Sequence, residues 1–216
     1  MLLFCCLYIS AQQQETNYGL SLSVELEKKL SRFFDLKAEE EVRLLDNEVH
    51  FDRSVTTVGI DYSLFDRKLK LGAYYAFLYL YNSDRYFEPR HRYYFNVSYK
   101  ESFEPFTFSW RGRVQGTCRD ESTGEYKINP KYVMKNKFQV DYAIWGRPWT
   151  PFISCDLYND LNNPKGNYLT RIRYQAGVSW RLNRTDYLDF FARYDHELDR
   201  RDPLRFSVGA AWKMKY

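Results

Sequence analysis

Three histidines, His50, His91 and His196, are where acid–base chemistry would have to start in this 216-residue chain. A Ser–His pair hydrolysing lipid needs a serine hydroxyl within hydrogen-bond reach of one of them. His50 falls in a predicted loop, while His91 and His196 fall near predicted strand ends; Ser54 and Ser83 are loop candidates for the nucleophile. The spacing sets neither serine beside a histidine, and no catalytic residue is assigned. The chain has no G-x-S-x-G, phosphate-binding loop, H-E-x-x-H or C-x-x-C motif. Its four cysteines divide into Cys5 and Cys6, in an apolar opening segment, and Cys118 and Cys155, on apolar strand phases. That is too few for a disulfide framework, so the latter two read as packing residues. No Cys/His cluster has metal-ligand spacing, and neither a metal nor another cofactor is expected.

A second set is richer. Arg43, Arg92, Arg111, Arg113, Arg171, Arg173 and Arg193, with Glu39, Glu41, Asp61, Asp156 and Asp189, fall on the polar phase of segments that alternate every second residue. From Tyr168 to Trp180 the even positions include Ile172, Tyr174, Val178 and Trp180, and the odd ones Arg171, Arg173, Gln175 and Ser179. Guanidinium and carboxylate groups on neighbouring strands can pair two bonds at a time. Because both signs are interleaved, many should pair. Two readings of such an interior stay open: a salt-bridged, largely plugged one, and a narrow water-filled pore lined by Arg111, Arg113, Arg171 and Arg173 that favours anionic solutes.

The elements that would position these charges are long strands. The alternation predicts eleven: 18–28, 33–45, 55–65, 69–81, 90–100, 106–117, 131–142, 149–158, 168–180, 187–196 and 204–216. Strands of soluble proteins have a mode of roughly 5–6 residues, whereas a tilted strand crossing a bilayer needs roughly 9–11. Length separates the two cases where a mean hydropathy of -0.62 does not. Short and longer connections alternate, as in outer-membrane barrels. The longest predicted loop, Cys118–Pro130, has about 13 residues, too short for a porin-style constriction loop, which argues against a wide general porin.

Aromatic residues on the apolar phase form two groups. Tyr99, Phe106, Tyr142, Trp149, Trp180 and Tyr216 lie beside the short turns, and Tyr81, Tyr93, Tyr132, Tyr168 and Tyr194 near the longer loops. Two such girdles suit the headgroup levels of a bilayer, with His91 and His196 at the outer rim among water and headgroups. The expected fold is therefore all-β: a closed, antiparallel, up-and-down transmembrane barrel of about 10–12 strands, with an even number expected and twelve preferred. A soluble, lipocalin-like exported binder is the alternative, with the apolar phase turned inward. Glu40 is an exception, a charge on an apolar phase, and a bulge at Glu39–Glu41 or a place near the rim would account for it.

Residues 1–11 read as a cleaved export signal, although no Lys or Arg precedes its apolar run, and 12–216 as a single barrel domain. With 32 basic and 28 acidic residues the chain shows no footprint for nucleic acid. The expected partners are outer-membrane lipid and, through Leu204–Tyr216, the barrel-assembly machinery.

The stretches YGLSLSVELEKKLSRFFDLKAEEEVR, VGIDYSLFDRKLKLGAYYAFLY, PRHRYYFNVSY and FTFSWRGRVQ, with the closing aromatic strand, carry a family resemblance. The chain resembles the outer-membrane barrel family catalogued as domain of unknown function 2490, found mainly in Bacteroidota. That family usually has a Trp after its first Gly, where Leu20 follows Gly19 here. The resemblance implies a barrel in the outer membrane and no activity.

Overall fold

The computed structural model describes residues 17–45, 50–81, 87–119, 129–164, 166–198 and 204–216. The expected signal at 1–11, Ser83 and the side chain of His50 lie outside the described residues. Among the described residues eleven strands follow in order: β1 Asn17–Lys29, β2 Phe34–Leu45, β3 His50–Leu64, β4 Leu69–Tyr81, β5 Phe87–Phe103, β6 Phe106–Arg119, β7 Lys131–Tyr142, β8 Trp149–Asp160, β9 Leu169–Arg181, β10 Asp186–Glu197 and β11 Leu204–Lys215. Sequential neighbours pair antiparallel, and the sheet closes into a barrel. Among the described residues there is no helix.

The expectation of an even strand number is overturned. With eleven up-and-down strands, β1 and β11 run in the same direction, so the closing pair is parallel, from Asn17↔Arg205 to Glu27↔Lys215. The last residue seals this seam: the Lys29 N–H donates to the Tyr216 carbonyl at 2.7 Å, and the Tyr216 N–H to the Glu27 carbonyl at 2.9 Å. The antiparallel expectation holds at every other junction.

The alternation turns apolar residues outward and charge inward. On β5, Phe95 is 69% exposed while the next residue, Asn96, is 7% exposed; on β2, Leu36 is 44% exposed beside Asp35 at 1%. The six turn-end aromatics follow the outward phase. Trp149 stacks on Trp180 at 4.8 Å between centroids, Phe106 packs on Tyr142 at 5.2 Å, and the Tyr99 hydroxyl donates to Glu101 at 2.7 Å. Tyr216 is exposed beside the seam.

Glu40 keeps its outward phase, because no bulge falls at Glu39–Glu41; the register irregularity sits at Arg43/Leu44. Its carboxylate accepts hydrogen bonds from the outward hydroxyls of Thr56, at 2.5 Å, and Ser54. Two neighbours on β3, rather than a bulge, accommodate the charge.

Inside, glycines make room for aromatic rings. The Tyr74 ring lies across Gly59 and Gly72, where an added Cβ would fall 2.1 Å and 2.5 Å from ring atoms. This position lets Tyr74 stack on Tyr94, with centroids 4.8 Å apart, and donate its hydroxyl to Asp61 at 2.5 Å. At the β3–β4 turn, Phe65, Asp66 and Arg67 all have left-handed backbone, and Arg67 reaches Asp35 at 2.6 Å.

Gly59→Val should destabilise the barrel by about 1–3 kcal/mol, the usual cost of overpacking, read as a lower urea midpoint in lipid vesicles. Adding Tyr74→Ala should recover part of the loss. A Gly59→Val barrel as stable as the parent would show that the ring does not need this space.

Candidate functional site

Residues from all eleven strands line one interior cavity of about 330 Å³. Twelve of the lining residues are Lys or Arg and four are Asp or Glu, so the wall carries a marked excess of positive charge. All seven arginines named from the sequence reach this lining, with Glu39, Glu41 and Asp189. Asp61 and Asp156 do not; they are buried behind it, 4% and 3% exposed.

Most interior acids, though not Glu39, are neutralised locally. Near the β1–β2 and β3–β4 turns, Asp35 accepts from Arg67 at 2.6 Å and Lys70 at 2.9 Å. Lys70 also meets Glu27 at 3.2 Å, and Lys37 meets Asp61 at 3.3 Å. Glu41 is shared by Arg43 at 2.8 Å, Arg193 at 3.3 Å and the Ser21 hydroxyl at 2.8 Å, which ties β10 to β1 and β2 across the seam. Asp195 accepts two bonds from Arg173, at 2.5 and 2.7 Å. Lys213 meets Asp189 at 2.7 Å. Buried pairs of this kind are costly to break because the surviving charge has no water to turn to.

The wall made by β6 and β7 is different. No carboxylate stands on the inward phase of β6, and none on that of β7 between Lys131 and Gln139. In the register Arg111 faces Lys137, and Arg113 faces Lys135. Two successive like-charged pairs directly opposite one another oppose strand pairing. Lys137 also faces Asp156 on β8, but Asp156 meets Lys135 at 3.1 Å and its Oδ1 is buried without a hydrogen bond. The Arg111 Nε is likewise buried without one.

Aromatic faces hold the guanidinium groups on this side. The Arg113 guanidinium lies 3.8 Å from the Tyr94 ring centre, and its Nε donates to Asn96 at 2.8 Å. Arg171 lies 3.9 Å from the Tyr158 ring centre. Such contacts orient a guanidinium without neutralising it. The inward place of Tyr94 follows from its phase with Asn96, Ser98 and Lys100, although the adjacent Tyr93 blurs the contrast. The stacking roles of Tyr74, Tyr94 and Tyr158 depend on register and rotamer, and sequence reasoning missed them.

The pore set of Arg111, Arg113, Arg171 and Arg173 therefore divides. Arg173 is neutralised by Asp195, whereas Arg111 and Arg113 join Lys135 and Lys137 in a basic wall. The expectation of general pairing is met by most of the interior and, on β7, by Lys131 with Asp160 and Lys135 with Asp156; among the described residues it fails for Arg111, Arg113 and Lys137, which have no carboxylate within ion-pair distance.

The histidine chemistry considered from the sequence is not assembled among the described residues. The His91 Nδ1 is hydrogen-bonded to the Tyr75 hydroxyl at 2.7 Å on the outer face, and the Ser54 hydroxyl is held by Glu40. Cys118 and Cys155 are free thiols.

The contrast between paired and unpaired cations has a measurable sign. Arg173→Ala leaves Asp195 buried and should cost about 3–5 kcal/mol of unfolding free energy. Arg111→Gln removes repulsion from Lys137 and should be neutral or stabilising. Urea unfolding in vesicles tests the ranking, and equal losses in the two variants would contradict it.

Comparison with known proteins adds a family. Residues 19–203, running from β1 to the connection before β11, match the family described as a protein of unknown function, DUF2490. A search of curated proteins found no match. With most of its length covered by that match, and a closed barrel whose apolar face is outward, the chain belongs to the DUF2490 family.

Proposed function

We propose that the chain is an integral barrel of the bacterial outer membrane that forms a narrow aqueous path favouring small anions. The carrying observation is the inverted pattern, with Phe95 outward and exposed and Asn96 inward and buried. Water on both sides would leave the outer belt unsolved, whereas hydrocarbon suits it. Closure also satisfies the backbone of every strand, as hydrocarbon requires. The turn-end aromatics supply an interface anchor at one rim. In this reading residues 1–11 direct export, and Leu204–Tyr216 is the strand presented to the barrel-assembly machinery. The preference for anions rests on the twelve-to-four excess of basic residues around the cavity.

A second reading, a structural barrel without conductance, is favoured by the salt-bridged cluster around Asp35, which packs one end of the interior beside β1–β4. The enzyme alternative lacks a Ser–His pair among the described residues, and a lipocalin-like binder would need the apolar phase inside.

Cell fractionation should recover the protein in the outer membrane, with heat-modifiable migration; a periplasmic soluble pool would refute the membrane assignment. In a planar bilayer under a potassium chloride gradient, the reversal potential should have the sign of chloride permeation. Absent conductance would favour the structural barrel, and cation selectivity would refute the anion path.

A further inference from the structure

We propose that the β6–β7 wall is a binding site for a compact multivalent oxyanion, a small phosphorylated or polycarboxylated solute; this rests on the proposed reading of the interior as aqueous. The register alone brings Arg111 onto Lys137 and Arg113 onto Lys135. Four cations in two facing pairs repel one another, and the interior acids relieve this only in part, with Glu39 of β2 acting on Arg111 and Arg113 from the same lining. Asp156, the acid opposite Lys137, lies behind the cavity lining and meets Lys135. An anion with several oxygens would resolve the conflict by standing between the pairs and accepting from both strands at once.

Three features favour a ligand over mere solvation. The Arg111 Nε is already desolvated and has no acceptor. Arg113 is fixed by Tyr94 and Asn96, which lowers the entropy lost when an anion is bound. The cavity, at about 330 Å³, is roughly ten times the ~30 Å³ share of one water in the liquid. That is enough for a solute of pyrophosphate or citrate size. A monovalent ion would meet at most one of the two facing pairs, so the site should discriminate by charge as well as by size.

The test is isothermal titration calorimetry of the full barrel in nanodiscs at low ionic strength, with inorganic pyrophosphate and citrate as probes and chloride as the monovalent control. Pyrophosphate, citrate or both should bind one per barrel, far more tightly than chloride, and binding should weaken steeply with salt. Arg111→Gln and Lys137→Gln should each weaken it about tenfold or more, the scale of one charge-assisted hydrogen bond. Arg111→Lys should stay much closer to the parent, and Lys28→Gln, on the outer phase, should match it. If Arg111→Gln fails to fold, Lys137→Gln decides alone.

No binding of either polyanion, or binding indifferent to Lys137→Gln, would overturn the site. Calorimetry needs no ion flow, so the two proposals fail separately. A silent barrel that binds pyrophosphate at Lys137 loses the path and keeps the site. An anion-selective barrel that binds neither probe loses the site and keeps the path.

Discussion

The parallel hydrogen bonding between β1 and β11 is the constraint on which the rest of this barrel depends. An up-and-down sheet with an odd number of strands brings its first and last strands together in the same direction. It closes through the evenly spaced, slanted bonds of a parallel ladder or it does not close. Here closure runs from Asn17↔Arg205 to Glu27↔Lys215, and Tyr216 is bonded across the seam to β1 through both its N–H and its carbonyl. Without it two strand edges would be open, and Arg193 would be separated from Glu41 and Ser21, which it meets across the seam. The closing strand thus makes the inside an inside.

Enclosure then governs the charges. A buried ion pair is retained when its geometry is good, and Arg173–Asp195, with two short parallel bonds, is such a pair. The same enclosure makes the β6–β7 wall expensive, since four like charges share it with an acid held behind the lining. Tyr94 orients the Arg113 guanidinium there, and Tyr158 underlies Lys135, but neither ring removes a charge. A fold selected for stability alone has no use for this arrangement. That imbalance, more than the number of arginines, points to an anionic occupant of the interior.

Much of this was legible in the chain because a period of two fixes strands, their lengths and their faces together. The ends predicted for β4 and β7 match those observed, and most others fall within a residue or two. β3 and β5 run longer than the alternation suggested. What alternation cannot carry is register, which decides the inward charge opposite each residue. Hence the pairing of Arg173 with Asp195 and the opposition of Arg111 to Lys137 could not be told apart in advance, although Arg173, Arg111 and Lys137 all fall on polar phases. Strand parity misled for a related reason. The even-number rule assumes an antiparallel closing pair, and the alternation within β1 and β11 is the same whether they meet parallel or antiparallel. Glu40 looked like a defect in one strand because its partners, Ser54 and Thr56, lie on another.

The central claim is that hydrocarbon lies outside this barrel and water inside it. Spin labels placed one at a time along β6, from Phe106 to Gln115, with Cys118 and Cys155 replaced by serine and the protein in lipid vesicles, measure this directly. The account predicts a period of two in collision rates: oxygen accessibility high at Phe106, Phe108, Trp110 and Val114, and access to a water-soluble nickel chelate high at Thr107, Ser109, Arg111 and Arg113. The opposite phase, or no alternation at all, would contradict it.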